Sequence, residues 1–192
     1  MKEIIVNGRT SLGIEFGSTR VKAVLLDIYS NNIIATGIYN WENKMESGYW
    51  TYDQDEIIKA LQECYKDLKQ NVYNEYEITI TKINYIGISA MMHGYIVLDK
   101  NNQLLTPFRT WRNTQQEEAS NELSDLLNFP IPQRWSVAHL YQAVLNEQEH
   151  IKDICFTTTL AGYVHFLLTD IKVIGVGDAS GMFPMDDNCS FD

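Results

Sequence analysis

The sequence is short of the features that commit a chain to a special environment. Its three cysteines, Cys64, Cys155 and Cys189, are odd in number, widely spaced and in no C-x-x-C arrangement. That argues against a disulfide framework or a structural zinc site and points to a reducing, cytoplasmic compartment. No stretch approaches eighteen apolar residues, and the opening MKEIIVNGRTS lacks a long apolar core, so neither a membrane span nor a signal peptide is expected. Basic residues are scarce: 15 Lys and Arg stand against 25 Asp and Glu, a net charge of −10. A chain so acidic repels phosphate polymers and anionic lipid, which argues against a nucleic-acid or membrane partner. An anionic small substrate such as a nucleotide would need local glycine turns, cations or a metal. Repeats, low-complexity tracts and Pro/Gly-rich linkers are also missing.

What is present is ordinary globular material, 192 residues with 45% hydrophobic and 21% charged, enough for one substantial core. Apolar runs at 11–16, 21–27 and 32–39, separated by short turns, predict three antiparallel strands. From Asp53 to Gln70 the period changes, with Ile57, Ile58, Leu61, Cys64, Tyr65 and Leu68 on one helical face. Asp53 and Glu56 resemble a capping pair at its start. NYIGIS (84–89) lacks polar alternation and predicts a strand buried on both faces. YIVLD (95–99) predicts another strand. Thr114 with Glu117 predicts a capping box for a helix to Leu127, broken by FPIP. Helices over 136–147 and 160–168 follow, and KVIGVGDASGMFPMD predicts strand, turn, strand. Antiparallel strands followed by helix-linked ones indicate an α/β domain with a mixed sheet flanked by helices.

Four stretches can carry chemistry. LGIEFGSTRVKAVLLD (12–27) places Gly17, Ser18 and Thr19 in a turn between Glu15 and Lys22. Such a turn can surround a phosphate with N–H groups and hydroxyls, Lys22 adding a point charge and Glu15 holding a hydrated Mg²⁺. Taken alone, a plain hairpin with both charges on its exposed face accounts for it better. In SAMMHGYIVLD (89–99), His93 and Gly94 sit between strands, where histidine either bonds a polar ligand or is satisfied by backbone. FRTWRNTQ (108–115) sets Trp111, Arg112 and Asn113 before a helix, which suits a polyol or simply anchors a loop. In GVGDASGMFPMD (175–186), Asp178 is either a general base or an Asx-turn residue.

The order of the four stretches resembles the N-terminal half of the FGGY carbohydrate kinases, in the actin-like ATPase superfamily, over Ser11 to Asp186. The likeness is nearest to the xylulokinase-like branch, where MHG and DASG turns recur. It implies a ribonuclease-H-like domain whose first hairpin faces ATP phosphates and Mg²⁺, matching D-x-G-T-x-x-x-K through Glu15, Gly17, Ser18 and Lys22, with Thr19 in the same turn. It implies Met92, His93, Gly94, Trp111, Arg112 and Asn113 as sugar contacts, and Asp178 as the base that activates the sugar hydroxyl. Three positions depart from the pattern: Glu15 stands for the usual aspartate, Met91 for glutamine, and Asn113 for aspartate.

The same resemblance sets expectations for the whole. Residues 1–192 would form an incomplete sugar-binding and catalytic-base domain, the C-terminal ATP-binding domain being absent. Such a fragment would bind sugar weakly and not turn over ATP. Its last strand would leave a sheet edge open to self-association as a homodimer. Two other readings stand beside the kinase: a sugar-independent ATPase of the superfamily, and a non-catalytic sugar-binding or assembly module.

Overall fold

In chain order the computed structural model, which describes residues 1–190, runs α1 (Lys2–Val6), β1 (Thr10–Phe16), β2 (Arg20–Asp27), β3 (Ile33–Asn40), β4 (Lys44–Glu46) and β5 (Tyr49–Tyr52). Then come α2 (Gln54–Tyr76), β6 (Tyr85–Ala90), β7 (Ile96–Leu98) and β8 (Phe108–Arg109). The remainder is α3 (Glu117–Leu127), α4 (Ser136–Leu145), a 3-10 turn at Glu149–Asp153, β9 (Phe156–Thr158), α5 (Leu160–Thr169) and α6 (Val176–Ala179). These elements form two units, Met1–Asn43 with Gln54–Met91, and Lys44–Asp53 with the residues from Met92 onward.

The first unit is a four-stranded sheet in the order β3-β2-β1-β6, antiparallel except for the parallel pair β1–β6. Strand alternation decides its faces. Leu12, Ile14 and Phe16 of β1 and Val21, Ala23 and Leu25 of β2 point inward, while Gly13, Glu15 and Lys22 point to solvent. Helix α2 lays Ile57, Ala60, Cys64, Leu68 and Val72, one residue per turn or nearly so, against β2 and β3. Contact is close enough that a Cβ on Gly37 would stand 2.5 Å from the Cys64 carbonyl oxygen. The helix also blunts the β3 edge, since Asp67 Oδ2 accepts from the Ile38 N–H and Asn71 Nδ2 donates to the Thr36 carbonyl. These anchors and buried Val72 carry α2 six residues beyond the predicted end at Gln70.

Strand β6 forms as predicted, but not buried on both faces: Tyr85 is 63% and Ile86 55% exposed. It is the edge of the sheet, and α2 covers β2 and β3 rather than this flank.

In the second unit β5 lies between β4 and β8, and β7 pairs with β9, all antiparallel. A bridge between Tyr95 and Arg109 ties the β7 end to β8. Helices α3 and α4 pack through Leu123, Ile131 and Ala138, flanked by Trp135, Val137 and Tyr141. The predicted capping box at Thr114 does not form. Helix α3 starts at Glu117 with no side-chain cap, and the Ala119 N–H is instead taken by Gln142 Oε1 from α4. The predicted strands around GDASG are not formed either: among the described residues, 171–175 belong to no strand, Asp178 lies in the helical turn α6, and GMFPMDD carries a single bridge residue, Met185, rather than a strand.

Candidate active site

In the first unit the hairpin register places Glu15 directly opposite Lys22, and Lys22 Nζ lies 3.3 Å from Glu15 Oε2 on the exposed face. The seven-residue spacing therefore brings the two charges together. The turn between them is held from behind: Gly17 N–H donates to the Arg20 carbonyl, Trp41 Nε1 donates to the Gly17 carbonyl at 2.7 Å, and Trp41 N–H donates to the Thr19 carbonyl. Phe16 and Trp41 meet edge to face beneath it. The Gly17 N–H is thus spent inside the hairpin, and Thr19 and Lys22 are exposed while Ser18 is partly so.

The donor set at this hairpin fits a hydrated hard cation and no tighter site. Among the described residues no cluster of three or more His, Cys, Asp or Glu side chains exists to cage a metal. Glu15 supplies one exposed carboxylate, of which Lys22 engages Oε2. A magnesium ion that keeps its waters and shares a phosphate needs no more protein ligands than that.

In the second unit two turns distant in sequence converge. His93 and Gly94 both take positive φ, 71° and 99°, so the chain reverses sharply before β7. Gly94 has no alternative, because a Cβ there would stand 2.6 Å from the Arg109 carbonyl oxygen. The turn is fixed by the Gly94 N–H to the Arg134 carbonyl and by Ser136 Oγ to the Gly94 carbonyl. His93 Nδ1 then meets the Gly181 carbonyl at 3.1 Å, 88 residues away in sequence. The imidazole lies parallel to Trp135. A Cβ on Gly181 would come 2.7 Å from Met92 Cε, the free end of a flexible side chain, and 3.0 Å from the His93 ring, so the two turns pack closely here. Burial lowers the His93 pKa, with the Gly181 carbonyl and Asp178 pulling the other way. The ring is neutral at pH 7, able to donate from one nitrogen and accept at the other.

Asp178 is half-buried, and its Oδ2 accepts from Thr159 Oγ1 at 3.0 Å. Thr159 is also the N-cap of α5, accepting from the Gly162 N–H at 3.1 Å. The carboxylate is therefore oriented by a neighbouring helix rather than by its own backbone, which disposes of the Asx-turn alternative. The sequence carried a signal for this partner in the T-x-x-G spacing ahead of an apolar run.

The Trp111 loop follows β8. Trp111 is 41% exposed, and the Arg112 guanidinium stacks 4.3 Å from the Trp50 ring. Asn113 behaves differently from its neighbours. It is buried, its Oδ1 accepts from the Trp50 N–H, and its Nδ2 donates to the Trp50 and Thr110 carbonyls. Both amide hydrogens are committed, so Asn113 holds the loop against β5. The structure brings Met92, His93, Gly94 and Asp178 together around Gly181, and sets Arg112 beside Trp50.

Comparison with known proteins gives this arrangement its class. The fold is shared with solved carbohydrate kinases. The ligand-bound xylulose kinase from Lactobacillus acidophilus superposes with a TM-score of 0.80 at 22% identity, over 95% of this chain and 38% of that one. Residues 10–188 match the FGGY family of carbohydrate kinases, N-terminal domain, and the chain belongs to that family. A xylulose kinase from Haemophilus influenzae is 27% identical over 117 residues, 60% of this chain and 24% of that protein. A gluconokinase from Bacillus subtilis is 29% identical over 121 residues, 61% of this chain and 22% of that protein. The matched stretch thus spans about a quarter of the length of these curated relatives. Among the described residues no helix is long and apolar enough to cross a membrane.

Proposed function

We propose that this chain supplies the sugar-binding side of an ATP-dependent kinase that phosphorylates a hydroxyl of a ketose, polyol or related sugar, xylulose being the leading candidate. The observation that carries the reading is the meeting of the Met92–Gly94 turn with Asp178–Gly181. It places a neutral imidazole and an oriented carboxylate within one small region, as recognition of a polyhydroxylated ligand requires. Trp111 offers an aromatic face for the C–H side of a sugar ring, and Arg112 adds donors. In this reading Asp178 takes the proton of the attacking hydroxyl through the oxygen that Thr159 does not hold. Glu15, Gly17, Ser18, Thr19 and Lys22 would face the phosphates, and Glu15 is the residue that would hold Mg²⁺. The ion, when bound, neutralises charge on the transferred phosphoryl group, and phosphoryl transfer asks for little else beyond positioning.

The test is ADP release by the complete reading frame with D-xylulose, D-gluconate or no sugar, for wild type and Asp178→Asn. Sugar-stimulated turnover that falls by about 10²-fold or more in the variant, with sugar binding retained, supports the reading. Equal ADP release with and without sugar would support a sugar-independent ATPase in its place.

A further inference from the structure

Arg109 is buried, 7% exposed, and no carboxylate is among its partners in the described residues. Its guanidinium lies 4.1 Å from the Tyr49 ring and 5.2 Å from the Tyr95 ring. Nη2 donates to Gln148 Oε1 at 2.7 Å, and Gln148 Nε2 bonds the Tyr49 hydroxyl in turn. The Tyr95 hydroxyl meets His150 Nε2 at 2.9 Å, and the Tyr95 ring stacks on His139, whose two ring nitrogens find no partner among the described residues. A buried cation costs several kcal/mol to desolvate, and apolar residues of like size usually pack between rings with less penalty. Stability alone does not account for an arginine here.

Its position does. The Arg109 main chain exchanges both hydrogen bonds with Tyr95, one residue past Gly94, and its carbonyl abuts the Gly94 Cα. Its side chain holds Tyr49, the neighbour of Trp50, against which Arg112 stacks and to which Asn113 is bonded. It also opens the loop that carries Trp111. We propose that Arg109 is a positioning residue that locks the His93–Gly94 turn and the Trp111–Asn113 loop into one fixed relation, and thereby sets sugar affinity. A planar fork stacked between two rings fixes direction as well as distance, which a lysine ammonium cannot reproduce.

This inference rests on the sugar-kinase reading for its effect on affinity, but not for its effect on the loops. The test compares wild type with Arg109→Lys in the complete reading frame. Expected is a rise of about tenfold in KM for the sugar that stimulates turnover, D-xylulose or D-gluconate, with KM for ATP unchanged. Amide hydrogen exchange should show residues 91–95 and 110–113 losing protection together while the α2 amides keep theirs. A KM for sugar equal to wild type, or a rise in both KM values alike, would overturn the proposal. Should wild type show no sugar-stimulated turnover, the kinase reading fails by itself. The exchange data then still decide: joint loss in the two loops supports the positioning role, and loss in neither or only one refutes it.

Discussion

Asn113 commits its whole amide group to the backbone of Trp50 and Thr110, and its burial makes those bonds expensive to lose. Asn113→Ala would leave the Trp50 N–H without its acceptor, while the Trp50 and Thr110 carbonyls keep the Thr110 and Asn113 N–H donors, and urea denaturation should record a loss of about 2 kcal/mol. Asn113→Asp should also destabilise, because a carboxylate can accept from Trp50 N–H but not donate to either carbonyl. His139 gives a second expectation at this scale. Burial, and then the neighbouring Arg109 charge, depress its pKa from 6.5 to about 3, so the folded state keeps the ring neutral. The unfolded chain takes up that proton near pH 6.5. Stability is therefore full above that pH and declines as pH falls toward 3, at about 1.4 kcal/mol per pH unit from this group. Denaturation midpoints at pH 7 and pH 5 should differ accordingly, and His139→Leu should reduce the difference. Neither residue's role was legible in sequence. FRTWRNTQ shows that Asn113 sits beside an aromatic, but not that the partner lies 63 residues back on β5.

Elements were more readable where burial followed a local period. The strands β1, β2 and β3 alternate between core and solvent, so their limits follow from the sequence within a residue or two. Helix α2 was legible from its 3.6-residue stripe, its extra length depending on Asn71 and Thr36, which no local pattern reveals. Where elements lack a stripe the sequence misled. NYIGIS lacks polar alternation yet ends as an exposed edge, because burial is decided by whether a helix covers that flank. KVIGVG has the composition of a strand, but a strand needs a partner, and β7 is already paired to β9. The seat of α2 on β3 is a close contact between elements. Gly37→Ala should push the helix backbone away, lowering stability by about 2 kcal/mol or more without changing the site residues, as thermal unfolding would show.

At the scale of the whole molecule, the four chemical stretches were individually weak, and only their order carried the likeness to the carbohydrate kinases. The family match covers residues 10–188, and the structure adds what order cannot supply, the contact of His93 with Gly181 across 88 residues. The chemistry of Glu15 with Lys22 was half legible: the residue types were in view, the cross-strand pairing was not. A methyl at Gly181 would press on the His93 ring and displace the Met92 side-chain end. Gly181→Ala should raise KM for sugar by about tenfold and leave KM for ATP as in wild type.

The most direct measurement is the rate of ADP release by the complete reading frame, with ATP and Mg²⁺ held constant and sugar varied, for wild type and His93→Ala. Release should depend on sugar and saturate with it, and the variant should show a higher KM for sugar at unchanged KM for ATP. Release at the same rate without sugar, or sugar dependence indifferent to His93, would contradict the sugar-kinase reading.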